Sequence, residues 1–595
     1  MIGVTAGQSG RPRLPYMPGL DGLRAFAVAG VVVYHAGAAW LPGGFLGVDV
    51  FFALSGYLIT SLLLVEFARA GRIDLKRFWL GRARRLLPAA FLVIGLSLLV
   101  VAIFIPSSLG QARGDAISSV FYVNNWQQIL ADRSYFEAFG RPSLFQHLWS
   151  LAVEEQFYLL WPLILTFSLT RLGGKRGAVL VTVAIAVVSL VLMAVLYDPR
   201  VDPSRVYYGT DTRAAQLLFG ALLAFAWPPG RLTGQTGRGA AWVLDGIGLV
   251  GLGVLAWAML GWQDYDRFVY QGGLGVVALA SVAVIAALVH PASRIGKALG
   301  WMPLRWIGQR SYGIYLFHWP VMALSRPELD IRADPTLIAL GQIALTVALA
   351  ALSYRFVEMP VRRGLAWPWI RRHLDRLSPR RRLALVGGVS VVLLALLAFP
   401  FARSATEDPL TGEGKPVATA AAQAAPAAAV ASEGADDAAA EPEGPLAVGA
   451  SVMLGAEPAL QEKLGPNARI DAAVGRQAVD VIERIEGYAL DGALPDEVIV
   501  QIGENGPLTQ ADIDRLHAVL RGLKRVVLVN VRVPRNWEAQ SNQVLQDALK
   551  DWPEARLADW YKASADPSLL ADGAHPTEEG QKVYARTVNR ALNRK

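Results

Sequence analysis

Apolar runs recur near residues 25–40, 45–65, 86–106, 148–169, 178–197, 214–227, 241–261, 269–289, 306–324, 336–354 and 383–402, separated by charged or Gly/Pro-bearing stretches. Most approach the ~20 residues a helix needs to cross hydrocarbon, which predicts a polytopic α-helical membrane bundle of about eleven transmembrane helices. The runs at 214–227 and 306–324 are the short or polar ones. Past Arg403 the pattern changes: residues 404–445 are rich in Ala, Pro and Glu and almost free of large apolar side chains, so the segment reads as a disordered tether. From Gly444 onward, short β-rich runs (Ala447–Ser451, Ile470–Val474, Glu497–Ile502, Arg525–Val531, Ala555–Trp560) alternate with amphipathic stretches such as Ile513–Leu523. That alternation predicts a parallel-sheet α/β domain. The expected organisation is a membrane domain over 1–365, a basic loop with one extra span over 366–403, the linker 404–445, and an α/β domain over 446–595.

Composition supports the membrane reading. The chain has 595 residues, 53% of them hydrophobic, and a formal charge of +8. The positive charge sits in loops between spans rather than on one face of a domain, so a nucleic-acid partner is not expected. Arg69, Arg72, Lys76, Arg77, Arg82, Arg84 and Arg85 lie between the second and third runs, and eight arginines lie between Arg362 and Arg382 before the last. Arg171, Lys175, Arg176, Arg231, Arg238, Arg294, Lys297 and Arg305 fall in loops of the same parity. The alternate loops are mixed or acidic, as at Asp264-Tyr265-Asp266. Positive loops face the cytoplasm, which predicts a cytoplasmic N-terminus and, with an odd number of spans, an extracytoplasmic C-terminal domain. The stretch Met1–Pro18 lacks an apolar core followed by a small-residue cleavage site, so the first run reads as a retained span. Cysteine is absent, which excludes disulfides, thiolate metal sites and a Cys nucleophile.

Chemistry concentrates first in the α/β domain. Ser451 is expected to end the first strand, Gly475 to follow the second and Gly503-Glu504-Asn505 the third, which places them on the carboxyl rim where parallel sheets bind ligands. Asp572 and His575 precede the last helix, opened by Pro576 and Thr577. His575 is placed to take the Ser451 proton and Asp572 to orient it. The amides of Ser451 and Gly475, with the Asn505 side chain, would hold an oxyanion. Taken singly, Ser and Asp also cap helices; the ordered set argues for acyl transfer. These residues resemble the blocks of the SGNH hydrolase/esterase superfamily, with Ser451, Gly475, Asn505 and His575 matching its four letters and Asp572 its Asp-x-x-His. The resemblance covers about 446–595 and implies a three-layer, flavodoxin-like fold. The superfamily usually has Gly-Asp-Ser where this chain has Gly449-Ala450-Ser451.

Ionisable residues within spans are costly and mark function by default. Arg24 and His35 bracket the first run, eleven positions apart; His147, Glu154 and Glu155 mark the fourth, Asp211 and Arg213 open the sixth, and His318 lies in SYGIYLFHWP. So many polar groups at helix openings predict a polar cavity within the bundle. The segments LDGLRA, GGFLGVDVFFALSGYLIT, HLWSLAVEEQFYLLWP and SYGIYLFHWP together resemble the acyltransferase type 3 family of membrane O-acyltransferases, over about 15–365. That resemblance implies a catalytic His35 within an Arg24-x10-His35 motif, and an Arg82-x-x-Arg85 that meets the phosphates of an acyl-coenzyme A. Gly81 stands where many relatives have another Arg. On the residues alone, Arg82 and Arg85 also serve as cytoplasmic anchors, His35 as a structural hydrogen-bonding group, and Glu154 and Glu155 either as acid/base groups or as buried partners of an Arg.

An acyltransferase bundle joined to an external SGNH domain resembles the bacterial peptidoglycan O-acetyltransferases. By that resemblance the bundle moves acetyl from cytoplasmic acetyl-CoA outward across the bacterial cell membrane, and Ser451 passes it to a glycan hydroxyl. The acceptor would be peptidoglycan or another envelope polysaccharide; an acetyl esterase, and a transporter carrying a glycan-binding module, are the other readings. No metal and no permanently bound cofactor is expected, acetyl-CoA acting as donor. Nothing in the sequence points to an oligomeric state.

Overall fold

The structure is a computed structural model that describes residues 14–365 and 444–594, apart from 39, 132, 136–141, 199–201, 230–231, 233–236, 265, 327–329, 332, 474–475, 534–536 and 571–572. The described residues fall into two compact units, one on each side of the linker. The linker, the basic loop and the run at 383–402 lie outside the described residues.

In the first unit every apolar run up to 336–354 coincides with a helix. Six helices among the described residues are long and apolar enough to cross a membrane: Gly44–Ala70, Leu75–Phe104, Lys175–Leu196, Gly239–Gly261, Val269–Leu288 and Pro335–Arg362. The other helices are shorter or more polar, and they carry most of the singled-out residues: Arg24 in Pro18–His35, Glu154 and Glu155 in Trp149–Arg171, Asp211 and Arg213 in Thr210–Ala226, and His318 in Met302–Ala323. The division is physical. The helix Lys175–Leu196 leaves Leu180, Val183, Val187, Val191 and Val195 exposed at spacings of three and four, an apolar stripe that suits lipid. The polar helices turn their hydrogen-bonding groups into the bundle.

Close packing positions those groups. A Cβ added at Gly56 would stand 1.7 Å from the Leu217 carbonyl oxygen, and one at Gly220 would stand 2.0 Å from that of Ala53. Only glycine allows the helices Gly47–Ala70 and Thr210–Ala226 to approach so nearly, as small residues do in membrane helix pairs. At this contact Arg213 and Asp49 form an ion pair of 2.8 Å with both side chains buried.

The second unit is a five-stranded parallel sheet, with β1 (Leu446–Gly449), β2 (Arg469–Ala472), β3 (Glu497–Gln501), β4 (Arg525–Val529) and β5 (Ala555–Ala558) in the order β2-β1-β3-β4-β5. Leu446 pairs with both Arg469 and Val498, so β1 is central, and the chain reverses its direction of winding between β1 and β3. This is the doubly wound, flavodoxin-like order. Strand residues alternate between two cores: Val448, Val500 and Leu528 pack with Ile482, Leu516 and Leu545 on one face, while Ala447, Ile499 and Val527 pack with Leu460, Tyr584 and Val588 on the other. Both faces are covered by helices, which explains why β1 is buried at every position. Each predicted strand is found, one or two residues shorter at an end.

Candidate active sites

The rim above β1 and β3 carries the first site. Here the sequence expectation needs correcting in one respect: Ser451 does not end β1 but opens the helix Ser451–Gly455, the turn being made by an extended Ala450. The strand stops at Gly449 because the chain must bend at once to pack Met453 back against it. Ser451 is 5% exposed, and its Oγ lies 2.9 Å from His575 Nε2. Across 124 positions of sequence, the fold brings a hydroxyl and an imidazole to proton-transfer distance. A bridge between Leu570 and Pro576 closes the segment that bears His575, and Thr577 caps the last helix by accepting from Gly580 N–H. Asp572 and Gly475 lie outside the described residues.

Asn505 is buried one strand over from Ser451 and donates from Nδ2 to the Arg476 carbonyl at 3.0 Å, while its Oδ1 has no partner among the described residues. The left-handed turn at Gly503, φ +92, presents the pair Glu504-Asn505. Arg476 in turn donates to the Asp471 carbonyl at 2.7 Å and to the Asp471 carboxylate at 2.5 Å, which ties Arg476 to β2. Burial pushes the Asp471 carboxyl up, but hydrogen bonds from Arg476, Arg484 and Tyr488 outweigh it and hold the group below the usual carboxylate range. Glu504 is 3% exposed with neither carboxylate oxygen hydrogen-bonded among the described residues, and burial raises it to about 8. Sequence reasoning assigned no role to Asp471, Arg476 or Glu504. A lone acidic residue beside the rim Asn, just past an apolar strand, was the available signal for Glu504.

The helical unit holds two further clusters. At the C-terminal end of the helix Pro18–His35, His35 Nε2 lies 2.9 Å from the Tyr135 hydroxyl and His35 Nδ1 lies 3.1 Å from His318 Nε2. His147 joins them, its ring 5.5 Å from that of His318 and its Nε2 3.2 Å from the Leu316 carbonyl. Three turns back along the helix, about 16 Å at helical rise, is Arg24. Near it Ser55 donates to Glu154 at 2.8 Å, and the Tyr158 hydroxyl donates to Ser55 at 2.9 Å. Arg82 lies 5.8 Å over the Tyr158 ring. Arg24, Arg82, Arg85, Glu154 and Glu155 are electrostatic neighbours. Yet none of these three arginines forms an ion pair within 4.0 Å among the described residues, which leaves half-buried guanidinium groups open to an anion.

Two predicted members sit differently. Asp211 does not line the interior but pairs with Arg205 at 2.8 Å, both partly exposed, because two positions along a helix set it on the face opposite Arg213. Arg213 does face inward, packed against the rings of Tyr207 (4.7 Å), Phe52 (5.5 Å) and Trp149 (5.6 Å), with its charge met by Asp49. Asp49 and Tyr135 were missed by the sequence reading; Asp49, a lone acid in GVDVFFALSG, was legible as an intramembrane charge.

The sequence pattern of the acyltransferase domain family matches residues 17–355, more than half of the chain. The chain belongs to this acyltransferase family. It is 37% identical over 620 residues to the peptidoglycan O-acetyltransferase OatA of Listeria monocytogenes, covering 97% of this chain and 98% of the relative. To the O-acetyltransferase OatA of Staphylococcus aureus it is 38% identical over 588 residues, covering 97% and 96%. Among solved structures it is similar to the C-terminal catalytic domain of Streptococcus pneumoniae peptidoglycan O-acetyltransferase A bearing a methylsulfonyl adduct, at 26% identity and a TM-score of 0.24, over 25% of this chain and 93% of that one. Both clusters of the helical unit fall within the acyltransferase domain, and the Ser451–His575 pair lies beyond it.

Proposed function

We propose that the chain is a membrane O-acetyltransferase that moves acetyl groups from cytoplasmic acetyl-CoA to hydroxyls of peptidoglycan, through an acyl-enzyme on Ser451. The Ser451–His575 contact carries the reading. A serine hydroxyl is a weak nucleophile unless a base receives its proton in the transition state, and an imidazole 2.9 Å away, joined to it by folding, is that base. Ser451 Oγ forms a bond to the acetyl carbonyl carbon as His575 takes its proton; the previous carrier leaves with that proton. A sugar hydroxyl then attacks the acetyl-serine, gives its proton to His575, and Ser451 is released as the alcohol. Asn505 and the rim amides are the groups available to a developing oxyanion, and Asp572 the carboxylate in sequence position to orient His575.

In the helical unit Arg24, Arg82 and Arg85 supply unpaired positive charge suited to the phosphates of coenzyme A. In this reading His35 is the base of this half and the Tyr135 hydroxyl carries the acetyl group between thioester and Ser451, an assignment supported by the 2.9 Å contact between that hydroxyl and His35 Nε2. The cytoplasmic N-terminus, the external C-terminal domain and the bacterial cell membrane belong to this reading, supported by the basic loops that include Arg82 and Arg85. The test is ester-linked acetate in purified peptidoglycan from cells carrying the wild type, Ser451→Ala or His35→Ala. Loss in both variants at normal protein level is expected; wild-type acetate in Ser451→Ala defeats the acyl-enzyme. An acetyl-enzyme that releases free acetate even when glycan is present indicates an esterase.

A further inference from the structure

Three histidines brought together from separate parts of the chain meet in the helical unit: His35 at the end of Pro18–His35, His147 in the turn Gln146–Leu148, and His318 within Met302–Ala323. His147 and His318 are buried, and the rings of His35 and His318 stand 5.1 Å apart. The proton positions follow from a main-chain anchor. A carbonyl oxygen only accepts, and His318 Nδ1 lies 2.5 Å from the Tyr315 carbonyl, so this nitrogen carries the hydrogen. No charged group pairs with these rings among the described residues, and an added charge left unpaired in such a site is costly, so the rings are neutral. In neutral His318 the other nitrogen, Nε2, is then an acceptor. It faces His35 Nδ1 at 3.1 Å, so His35 Nδ1 carries a hydrogen and donates. His35 Nε2 is left with a bare lone pair, and that lone pair faces the Tyr135 hydroxyl.

We propose that His318 is a positioning residue that holds His35 in the Nδ1–H tautomer, so that His35 Nε2 is the base nitrogen for the hydroxyl in front of it. The inference rests on the reading of His35 as the base of this half-site. In a Ser-His-Asp arrangement a carboxylate receives the imidazole Nδ1–H. Here a neutral imidazole does so, itself fixed by the Tyr315 carbonyl, which orients the base without placing a net charge inside the bundle. Neither Glu154 nor Glu155 touches His35: Glu154 is committed to Ser55, one cluster away. His318 therefore acts through His35 and touches no reacting atom.

The experiment compares His318→Gln, His318→Asn and His318→Leu in the full chain in membranes, measuring acetyl transfer from acetyl-CoA to glycan. Gln sets an acceptor oxygen where His318 Nε2 stands; Asn reproduces only the Nδ1 bond to the Tyr315 carbonyl; Leu provides neither. The expected result is a fall in kcat of about a hundredfold or more for Leu and Asn, with Gln within about tenfold of wild type, and an unchanged KM for acetyl-CoA in all three because the arginines stand about three turns away. A purely structural role would make Asn at least as active as Gln, and that order overturns the proposal, as does full activity in His318→Leu. His35→Ala is run alongside: activity retained there defeats the reading of His35 itself, whereas an inactive His35→Ala with no rescue by Gln defeats only the role of His318. Should the variants not accumulate, ring-nitrogen NMR of 15N-histidine-labelled wild-type protein in bilayers decides the matter. His35, assigned by comparison with His35→Asn, is expected to show a protonated Nδ1 and a bare Nε2; a protonated Nε2 overturns the tautomer assignment.

Discussion

Replacing Glu504 by Gln should change the pH dependence of stability of the α/β domain in a direction opposite to ordinary acid denaturation. The carboxyl is buried without a hydrogen bond among the described residues, and burial moves it from the usual 4.5 to about 8. Because the folded state holds this proton more tightly than the unfolded chain, stability is full below about pH 4.5 and is lost as pH rises towards 8, where the folded protein must either keep a proton that the unfolded chain has released or bury a charge. A displacement of about 3.5 pH units corresponds to a limiting loss of about 5 kcal/mol, of which about 3–4 kcal/mol falls between pH 5 and pH 8. That is a large share of the ~5–15 kcal/mol typical of a domain. Asp471 does not obscure the effect, since its lowered carboxyl loses its contribution only as pH falls below the ordinary carboxylate range. The assay is urea unfolding of residues 444–595, a unit with its own two apolar cores, at several pH values in this window. Wild type should lose stability steadily as pH rises, while Glu504→Gln stays nearly flat; the two should be close near pH 5 and differ by about 3 kcal/mol in favour of Gln near pH 8. Parallel pH profiles, or a Gln variant that is the less stable at pH 8, would refute the assignment of an unpartnered buried carboxyl.

Ser451→Ala and His575→Ala in the 444–595 fragment should each reduce cleavage of an activated acetyl ester by several powers of ten, read as kcat/KM, and Ser451→Ala should abolish labelling by a serine-directed sulfonyl fluoride. Arg82→Ala combined with Arg85→Ala should raise the acetyl-CoA concentration needed for half-maximal transfer by about tenfold or more while protein level stays normal, as for lost phosphate contacts; an unchanged donor dependence would reduce both to topology anchors. Gly56→Val should lower the thermal stability of the detergent-purified chain by about 1–3 kcal/mol or more, because the Leu217 carbonyl already fills the space and the Asp49–Arg213 pair lies in the same helix contact; a wild-type melting point would show that the helices separate at no cost.

The α/β fold was legible because its signals are local: β-branched runs bounded by turns, with Ser451 and Asn505 just past the ends of two of them. The strand order β2-β1-β3-β4-β5 did not follow from that pattern, which fixes a parallel sheet but not its winding; the flavodoxin-like fold was implied only by the SGNH resemblance. The precise turn at Ser451 was less legible. Whether a residue closes a strand or opens a helix depends on how soon Met453 must pack, which is a tertiary matter. In the helical unit the charged residues announced themselves, yet their partners did not. Asp211 and Arg213 are two positions apart and look equivalent in sequence, but helical geometry turns one outward to Arg205 and the other inward to Asp49, 164 positions away. Tyr135 carries no charge and sits in a loop, so no periodicity could have singled it out; only the fold sets its hydroxyl on His35. Span number suffered from the same cause, since the helices that hold the polar clusters are those whose composition least resembles a membrane crossing.

Each half of the chain presents a hydroxyl hydrogen-bonded to an imidazole Nε2, Tyr135 on His35 and Ser451 on His575, both at 2.9 Å. The repetition bears on how an acetyl group would pass between them. An acyl group on sulfur or on a phenol oxygen is more activated than one on an alkyl oxygen, because thiolate and phenolate are better leaving groups than alkoxide. Thioester to tyrosine, tyrosine to serine and serine to sugar is therefore a sequence in which the last two exchanges run downhill or level, and each needs only a base to take one proton and return it. Each site sets an imidazole nitrogen beside a hydroxyl, which is what that requirement asks for. The His35 ring sits among His318, Trp319 and Tyr135, an aromatic wall that would shield an activated aryl ester on Tyr135 from water until it is handed on. On this argument, opening the aromatic wall by Trp319→Ala should release acetate to water at the expense of glycan acetylation, with acetyl-CoA consumption maintained. Equal falls in consumption and glycan acetylation would show instead that Trp319 merely supports the fold.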